Sequence, residues 1–215
     1  MARPKVPLIS KRATLEAALR IIDEEGLDAL SIRRLASEFD VNGASLYHHF
    51  RNKDEILRGA ALLALEEGRK PKPPDVDWRE WFIEQSRFYR RVLLNHPALV
   101  NVILMQHPHR IAMEFYDYAV RTLLENGVPR HTIIPLLESM EAFTFGSVLY
   151  ATAATADVVA SGDPFKALGQ AERYAAYHVD DDRLWEIVAR SILDAVVKAD
   201  PPRRRATRRK VSTSV

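Results

Sequence analysis

The side chains between residues 42 and 50 combine small groups with hydrogen-bonding rings in an order that suits contact with duplex DNA. Asn42 is a good helix cap, since its side-chain oxygen can accept a hydrogen bond from an unpaired backbone N–H group of the helix that follows. Leu46 and Phe50 are four residues apart and share one face, which we expect to be buried. The opposite face begins with small residues, which permit close approach to a major groove. It continues with rings that carry polar atoms, which can form hydrogen bonds to bases or phosphates. These outward residues are Gly43, Ala44, Ser45, Tyr47 and His48.

A second feature of the same region is the start of the next helix, which includes Lys53. Asn52 and Glu55 have the spacing of a capping box in which Asn replaces the usual Ser or Thr. Lys53 then lies in the first turn of the next helix, where free backbone N–H groups and the positive end of the helix dipole converge with its ammonium group. This combination predicts a phosphate-binding site.

Short helices must position these residues. Ser31 caps a helix whose apolar residues recur at i, i+3, i+4 and i+7, namely Ile32, Leu35, Ala36 and Phe39. A tight turn at residues 40–43 joins this helix to the next one, as in a helix-turn-helix. An earlier helix, capped by Ser10 and stopped by Gly26, is expected to cross behind both and complete a three-helix domain.

The ordered set of residues in this region resembles the tetracycline-repressor (TetR) family of bacterial transcription regulators. The resemblance rests on residues 30–36, Val41 and residues 44–53. It implies a dimer that binds a palindromic operator, with two copies of the helix that begins near Asn42 in adjacent major grooves. It also implies that Arg33 contacts the DNA backbone or bases, the alternative being a solvated arginine.

Composition excludes several other classes of protein. The 215 residues include no cysteine, so neither a disulfide framework nor a thiolate metal site is possible. No apolar run approaches the roughly 20 residues that a membrane span needs, and the first residues lack the apolar core of a signal peptide. We therefore expect a soluble cytoplasmic protein with no membrane partner.

The formal net charge of +2 hides an uneven distribution. Six positive charges follow residue 202, which leaves the rest of the chain at −4. A slightly acidic body with basic ends is not a general polyanion binder, so DNA contact must be local. The basic residues available for that contact are Arg3, Lys5, Lys11, Arg12, Arg33, Arg51 and Lys53.

The chain after the helix-turn-helix also predicts helices throughout. Asp77 caps an amphipathic helix, Pro97 and Pro108 each open another, and Pro135 lies in the first turn of a long apolar helix that reaches about residue 156. A short helix near 165–176 and a last helix after residues 180–182 follow. We predict an all-α fold in four parts: a helix-turn-helix DNA-binding domain (1–53), a connecting helix (54–70), a helical effector-binding and dimerisation domain (71–200), and a disordered basic tail (201–215).

A second set of residues resembles the C-terminal domain of the family's tetracycline repressors. The set comprises Trp78 and residues 89–94, 125–127 and 143–149. In that domain an internal cavity takes an inducer, and two late helices of each subunit form a dimeric four-helix bundle. The resemblance therefore implies a homodimer and a small-molecule effector. Gly146 and Tyr150 share one side of the long helix, and the last helix has an apolar stripe with little intrachain cover, which agrees with a dimer. Packing within one chain is the alternative.

Matching to the family's pocket pattern places a mostly apolar set with a few polar groups around the cavity. Its members are Gln85, Tyr89, His107, Tyr116, Ile134 and Glu138. The carboxylate of Glu138, which has apolar neighbours in the sequence, either points outward or needs a partner. The family's tetracycline-binding members hold a magnesium ion through histidine, and the matching positions here are Ile103 and Ala142. We therefore expect an effector other than tetracycline, and no cofactor.

Some residues also suggest functions other than that of a ligand-responsive regulator. His107, His109 and Glu114 suggest a metal site, but two histidines that flank a proline have poor geometry for zinc. An enzyme using His107 or Glu138 for proton transfer lacks a nucleophile–base pair, a phosphate-binding loop and a metal triad. The remaining alternatives are an architectural DNA-binding protein without effector control and a pure protein-interaction module. The architectural protein predicts DNA binding that is independent of sequence and sensitive to salt.

Overall fold

The structure is a computed structural model that describes residues 10–66, 71–106, 113–152 and 181–199. These residues form nine α-helices and one short 3₁₀ turn, and the described ranges contain no β-strand. The predicted all-α fold is therefore confirmed. Several predicted features lie outside the described residues: the basic residues Arg3 and Lys5, the helix start at Pro108, His107 and His109, the short helix near 165–176, and the tail after 201.

The first helix, α1 (Lys11–Glu25), begins at the predicted cap. Ser10 Oγ accepts a hydrogen bond from Ala13 N at 3.0 Å, which satisfies one of the unpaired N–H groups of the first turn. The helix ends at Gly26, whose φ of +91° is a value that L side chains rarely adopt. The 3₁₀ turn Leu27–Ala29 then leads into the second helix.

The turn between α2 (Ile32–Ser37) and α3 (Gly43–Leu46) has the hydrogen bonds of a Schellman motif. Val41 N donates to Ala36 O at 3.2 Å, and Asp40 occupies the left-handed position with a φ of +50°. This turn closes the predicted helix-turn-helix, with Asp where glycine is the commoner residue.

The four-residue spacing of Leu46 and Phe50 predicts a helix that continues to Phe50, but α3 is shorter. It ends at Leu46, and residues 47–49 form a turn. The backbone N–H groups of His49 and Phe50 both donate to Leu46 O at 3.0 Å. Phe50 is therefore still drawn into the core beside Leu46, as the spacing predicts.

The helix α4 (Lys53–Glu66) begins with a variant of the predicted capping box. Asn52 Oδ1 accepts from Glu55 N at 2.9 Å. The Glu55 carboxylate accepts in return from Arg51 N at 2.8 Å, one residue earlier than the standard box requires.

The helix α5 (Trp78–Asn95) is capped by Asp77, which accepts from Arg79 N at 2.8 Å. Trp81, Phe82 and Val92, which belong to the predicted apolar face, are buried. The helix α6 (Ala98–Gln106) begins directly after Pro97, as that proline predicts.

Three longer helices complete the described chain: α7 (Met113–Glu125), α8 (Arg130–Thr152) and α9 (Asp181–Val197). Gly127, with a φ of +78°, separates α7 from α8. Pro135 lies in the second turn of α8, because the helix already begins five residues earlier, just after Pro129. Among the described helices α8 alone has the length and apolar character that a membrane span needs, yet 44% of that window is buried and α8 packs against α5 and α9.

The helix α4 is held between the N-terminal helices and the rest of the chain. It packs along α1, where a Cβ atom at Gly59 would lie 2.6 Å from Leu15 Cδ2, so glycine at residue 59 lets the Leu15 side chain pack directly on α4. It also packs on α6, where Arg58 Nε donates to Gln106 Oε1 at 3.3 Å. One apolar cluster therefore runs from α1 through α4 into α5, α6 and α8, and a second joins α5, α7, α8 and α9.

Candidate nucleic-acid interface and internal cavity

The residues predicted to contact DNA form an exposed surface at the end of α3. Tyr47 is 58% exposed, and Ala44 and His48 are exposed beside it, while Ser45 is half-buried. Leu46 behind them is fully buried and anchors this surface to the core. The structure thus brings these four predicted residues together, with two hydrogen-bonding rings facing outward.

Asn42 and Gly43 position this surface. Asn42 Oδ1 accepts a hydrogen bond from Ala44 N at 3.1 Å, so the oxygen is committed to capping and only the side-chain NH₂ group is left for an outside partner. A Cβ atom at Gly43 would lie 3.3 Å from Ile32 Cγ2, which is tighter than ordinary contact. The small residue therefore lets α3 lie close against α2.

Two neighbouring arginines on α2 differ in their partners. Arg33 is exposed, as a DNA-contacting residue must be. The Arg34 guanidinium instead donates to the carboxylates of Glu25 and Glu38. These hydrogen bonds raise the pKa of Arg34 and, from the other side, lower the pKa of Glu25. Arg34 thus ties α2 to the end of α1, and Arg33 is the one that faces outward.

The phosphate site predicted at Lys53 is only partly assembled. Lys53 Nζ lies 3.5 Å from Leu27 O, so the ammonium group points toward the backbone of the 3₁₀ turn. Asn52 occupies one backbone N–H group of the first turn of α4. The Glu55 carboxylate lies 3.5 Å from Lys11 Nζ, and its pKa is lowered chiefly by the hydrogen bond from the Arg51 backbone. Phosphate binding at Lys53 therefore requires its side chain to turn outward, and remains a prediction.

A cavity of about 410 Å³ lies between α4, α5, α6, α7 and α8. Its volume is within the range of small-molecule sites, and its walls are mainly apolar and aromatic. The aromatic walls are Trp81, Phe82, Phe88, Tyr89, Phe115 and Tyr116.

Three of the six predicted ligand-binding residues line this cavity, namely Gln85, Tyr89 and Tyr116. The Tyr116 hydroxyl donates a hydrogen bond to the Glu141 carboxylate, which is also in the wall. Burial raises the pKa of Tyr116 and that of Tyr89, and the negative charge of Glu141 adds to both shifts. Both phenols therefore stay protonated at neutral pH, and Tyr116 uses its one O–H group in the hydrogen bond to Glu141.

Ile134 and Glu138 do not line the cavity, which corrects that part of the prediction. Ile134 is 46% exposed, and Glu138 is also on the surface. The wall residues of α8 are Leu137, Met140, Glu141 and Thr144. Glu138 follows Leu137 by one residue, which turns it by about 100° away from that face. Its charge still reaches Tyr116, whose pKa it helps to raise. His107 lies outside the described residues.

Thr144 adds a polar group to the cavity wall that the sequence did not predict. Its side chain is fully buried, and among the described residues Thr144 Oγ1 has no hydrogen-bond partner. A buried hydroxyl without a partner is costly unless a ligand or water satisfies it. Thr144 is therefore a candidate hydrogen-bonding group for a bound molecule.

Two sequence-family descriptions match the chain. "Bacterial regulatory proteins, tetR family" matches residues 15–60, and "Tetracyclin repressor-like, C-terminal domain" matches residues 70–177, just over half of the chain. The chain belongs to the TetR family. The tetracycline repressor protein class A from transposon 1721 of Escherichia coli is 32% identical over 151 residues, which cover 69% of this chain and 70% of that protein.

Solved structures of the TetR family share the whole architecture. Apo ActR from Streptomyces coelicolor aligns with a TM-score of 0.72 at 25% identity, covering 92% of this chain and 97% of that one. ActR in complex with actinorhodin aligns with a TM-score of 0.67 at 25% identity, covering 89% and 96%. This TetR-family protein is thus a DNA-binding, ligand-responsive transcription regulator rather than an enzyme.

The surface of α8 and α9 in this TetR-family protein carries the apolar side chains predicted for a dimer contact. Leu149 and Tyr150 on α8 are exposed, and so are Leu184 and Ile187 on α9. Gly146 is exposed on the same side of α8 as Tyr150 and leaves open space for a close neighbour. TetR-family regulators act as dimers, and this surface is suited to bury such a contact.

Glu141 and Thr144 are two of the polar cavity residues that the sequence comparison with the TetR family missed. Each lies on the wall face of α8, and a carboxylate between the apolar residues Met140 and Phe143 was the available signal for Glu141. Ile103, which the sequence comparison matched to a histidine of tetracycline-binding members, lines the cavity as an apolar residue. Within the described ranges no three His, Asp or Glu side chains are grouped to hold a metal ion.

Proposed function

We propose that this protein represses transcription by binding a palindromic operator as a homodimer, and that a small molecule in the 410 Å³ cavity releases it. Residues 1–53 form the DNA-binding domain, 54–70 the connecting helix, 71–200 the effector-binding and dimerisation domain, and 201–215 a basic tail. The surface around Tyr47 enters the major groove in each half-site, and the Arg33 and Lys53 side chains contact phosphates or base edges. The site of action is the bacterial cytoplasm.

The path of α4 is the observation that carries this proposal. Leu62, Leu65 and Glu66 at its C-terminal end line the cavity, while its N-terminal end begins directly after the α3 segment. A molecule that fills the cavity therefore presses on the same helix that carries the DNA-binding domain. A ligand can shift an equilibrium only through a difference in affinity between the two states, and contact with α4 supplies that difference.

The cavity favours an apolar, ring-containing effector with a few polar groups. Six aromatic side chains offer flat contact surfaces, and Gln85, Thr144 and the hydrogen-bonded Tyr116 hydroxyl are the polar groups that fix orientation. The apolar Ile103 argues against tetracycline held by magnesium. The complex of ActR with actinorhodin supports a small-molecule effector for a protein of this fold.

Operator binding is tested by selecting sequences from a randomised DNA pool and measuring affinity by fluorescence anisotropy over a range of salt concentrations. We expect a palindromic consensus, with Arg33→Ala reducing both the affinity and the salt slope, the latter by about 1. Arg121→Ala is the matched control, because Arg121 is an exposed arginine on α7, away from this surface. Binding without sequence preference that collapses with salt would overturn the proposal in favour of an architectural DNA-binding protein.

Effector control is tested on the same protein. Native mass spectrometry of the dimer identifies small molecules that co-purify with it, and each is then assayed for release of the selected operator. Ala119→Phe fills the cavity from a buried position in its wall and is expected to keep operator binding while losing the response. A variant that responds as the natural sequence does would place the effector elsewhere.

A further inference from the structure

A second hollow of about 500 Å³ lies between the N-terminal helices and α5. Its lining is mixed: the apolar part includes Leu19 of α1, Leu63 of α4 and Val92 of α5, and a polar part at least as large includes Glu16, Arg91 and Asn95. The ring of Phe88 borders both this cleft and the internal cavity. We call this hollow the interhelix cleft. It is separate from the cavity of the proposed effector, since Leu63 and the cavity residues Leu62 and Leu65 lie on different faces of α4.

The charged groups of the interhelix cleft are paired, with one exception. Arg12 Nε donates to Glu16 Oε1 at 2.9 Å. His96 Nδ1 lies 2.8 Å from Asp23 Oδ2. Arg91 also lines the cleft, and within the described ranges its guanidinium has no carboxylate partner. The guanidinium lies over the ring of Phe88, with 6.0 Å between Arg91 Cζ and the ring centroid.

The chemistry of the cleft favours one kind of occupant. A guanidinium group binds a carboxylate through two parallel hydrogen bonds, and it is less strongly hydrated than an ammonium group, so such a pair forms readily at a cleft wall. The apolar lining can take up a short hydrocarbon body beside it. A single anionic group on a short apolar chain fits both features, whereas a cation or a neutral alcohol fits only the second.

We propose that the interhelix cleft binds a small amphipathic carboxylate, with its head group on Arg91 and its apolar body against Leu19, Leu63 and Val92. The occupant contacts α1 and α5 at once, so it fixes the N-terminal helices relative to the effector-binding helices. Because Phe88 and α4 form part of the wall of both the cleft and the cavity, we expect occupancy of one to change the affinity of the other, and any such coupling is reciprocal. The effect on operator affinity rests on the proposed function, whereas binding itself does not.

Octanoate is the probe, and isothermal calorimetry on the intact dimer is the measurement. Octanol and octylammonium, which have the same chain and a different head group, are expected to bind at least tenfold more weakly. Arg91→Gln is expected to weaken octanoate binding at least tenfold. Arg121→Gln removes an equal charge elsewhere on the surface, and Thr144→Val alters the internal cavity, so both are expected to leave octanoate affinity unchanged.

Two results would overturn the site. The first is equal affinity for octanoate and octanol, which needs no variant and shows that the anionic group is not recognised. The second is a loss of octanoate binding in Thr144→Val with retention in Arg91→Gln, which would place the ligand in the internal cavity. Arg91 is exposed, and a circular dichroism melt of the Arg91→Gln protein confirms that the fold is kept.

Operator anisotropy with and without octanoate separates the regulatory claim from the binding claim. We expect octanoate to change operator affinity at least threefold in the natural sequence and by no measurable amount in Arg91→Gln. Octanoate binding without any change in operator affinity would overturn the coupling. A protein that selects no operator would overturn the proposed function, and the calorimetry would still decide whether the interhelix cleft is a carboxylate site.

Discussion

The ion pair between Arg90 and Asp182 is expected to be asymmetric, in that removal of the acidic partner costs more stability than removal of the basic one. Arg90 is only 4% exposed, and its guanidinium donates to Asp182 and to Ser147 Oγ, the latter at 3.3 Å. The ring of Trp185 lies 5.9 Å from the same group. The Asp182 side chain, by contrast, is 60% exposed. Water can therefore solvate the carboxylate when the arginine is absent, but it cannot reach the guanidinium when the carboxylate is absent.

The sizes of the two effects follow from this difference in burial. Removal of one member of a buried pair costs about 3–5 kcal/mol when the survivor is a buried charge without compensation. In Asp182→Asn the amide still offers an acceptor and Ser147 remains, so we expect a loss of about 2–3 kcal/mol. Arg90→Met keeps most of the apolar stem and leaves a solvated carboxylate, so we expect a loss of about 1 kcal/mol.

Asp181→Asn is the matched control for Asp182→Asn. Both residues lie in the first turn of α9, so either substitution loses about 0.5 kcal/mol of favourable interaction with the helix dipole. For a chain of this size 1 kcal/mol shifts the Tm by about 2–4 °C. Thermal unfolding at one fixed protein concentration is therefore expected to show a drop of about 4–12 °C for Asp182→Asn and about 1–2 °C for the control. Equal drops in Tm for Asp182→Asn and Asp181→Asn would refute the reasoning. So would a larger drop for Arg90→Met than for Asp182→Asn.

Three further predictions concern the DNA-contacting surface, the helix-turn-helix turn and acid stability. Tyr47→Ala is expected to weaken operator binding at least tenfold in anisotropy without lowering the Tm, because the side chain is exposed; unchanged affinity would remove Tyr47 from the interface. The φ of +50° at Asp40 suits glycine and strains a β-branched residue. Asp40→Gly is therefore expected to raise the free energy of unfolding, measured in urea, by about 0.5 kcal/mol, and Asp40→Val to lower it by about 1–2 kcal/mol. A less stable Asp40→Gly protein and a more stable Asp40→Val protein would contradict this. Hydrogen bonds from Arg190 lower the pKa of Glu80 and of Glu186 below the ordinary value of 4.5. Since a carboxyl with a depressed folded-state pKa stabilises the fold above its unfolded-state pKa, this contribution is lost as the pH falls below 4.5 through the lowered pKa. Arg190→Gln is expected to flatten the dependence of Tm on pH in that range, and an unchanged slope would show that the link between α5 and α9 contributes nothing.

Local features of the fold were predictable from the sequence. Ser10, Ser31, Asn42 and Asp77 each cap the helix that the sequence predicts, because a cap depends only on residues two or three positions away. The helix-turn-helix follows for the same reason, since its turn is closed by bonds between near neighbours. The resemblance to the TetR family extended this local prediction to the arrangement of the whole chain.

The cavity wall depended on packing that no local pattern contains. The helix α8 is apolar on most of its sides, so its sequence gives no clear preference for the face that points inward. The prediction chose Ile134 and Glu138, whereas the structure turns Leu137, Met140, Glu141 and Thr144 inward. A rotation of about 100°, one residue of helix, separates Leu137 from Glu138.

Contacts between distant parts of the chain were also beyond the sequence. The Lys53 ammonium group points at the carbonyl of Leu27, which is 26 residues earlier, and nothing near Lys53 indicates that partner. The interhelix cleft is of the same kind, since it exists only where α1, α4 and α5 converge. The pairing of Arg34 with Glu25 and Glu38, which leaves Arg33 as the outward arginine, likewise follows from the way in which α2 meets α1.

The absence of a side chain at Gly59 lets α1 pack closely on α4, the helix that runs from the cavity to the DNA-binding domain. With no Cβ atom at residue 59, the Leu15 side chain of α1 packs directly on the backbone of α4, so we expect the two helices to move together. The 14 residues of α4 span about 21 Å, so a tilt of about 5° at the cavity end displaces the other end by about 2 Å. Two-fold symmetry doubles that displacement to about 4 Å between the paired DNA-binding domains, which is more than the rise of one base pair and enough to put them out of step with the double helix.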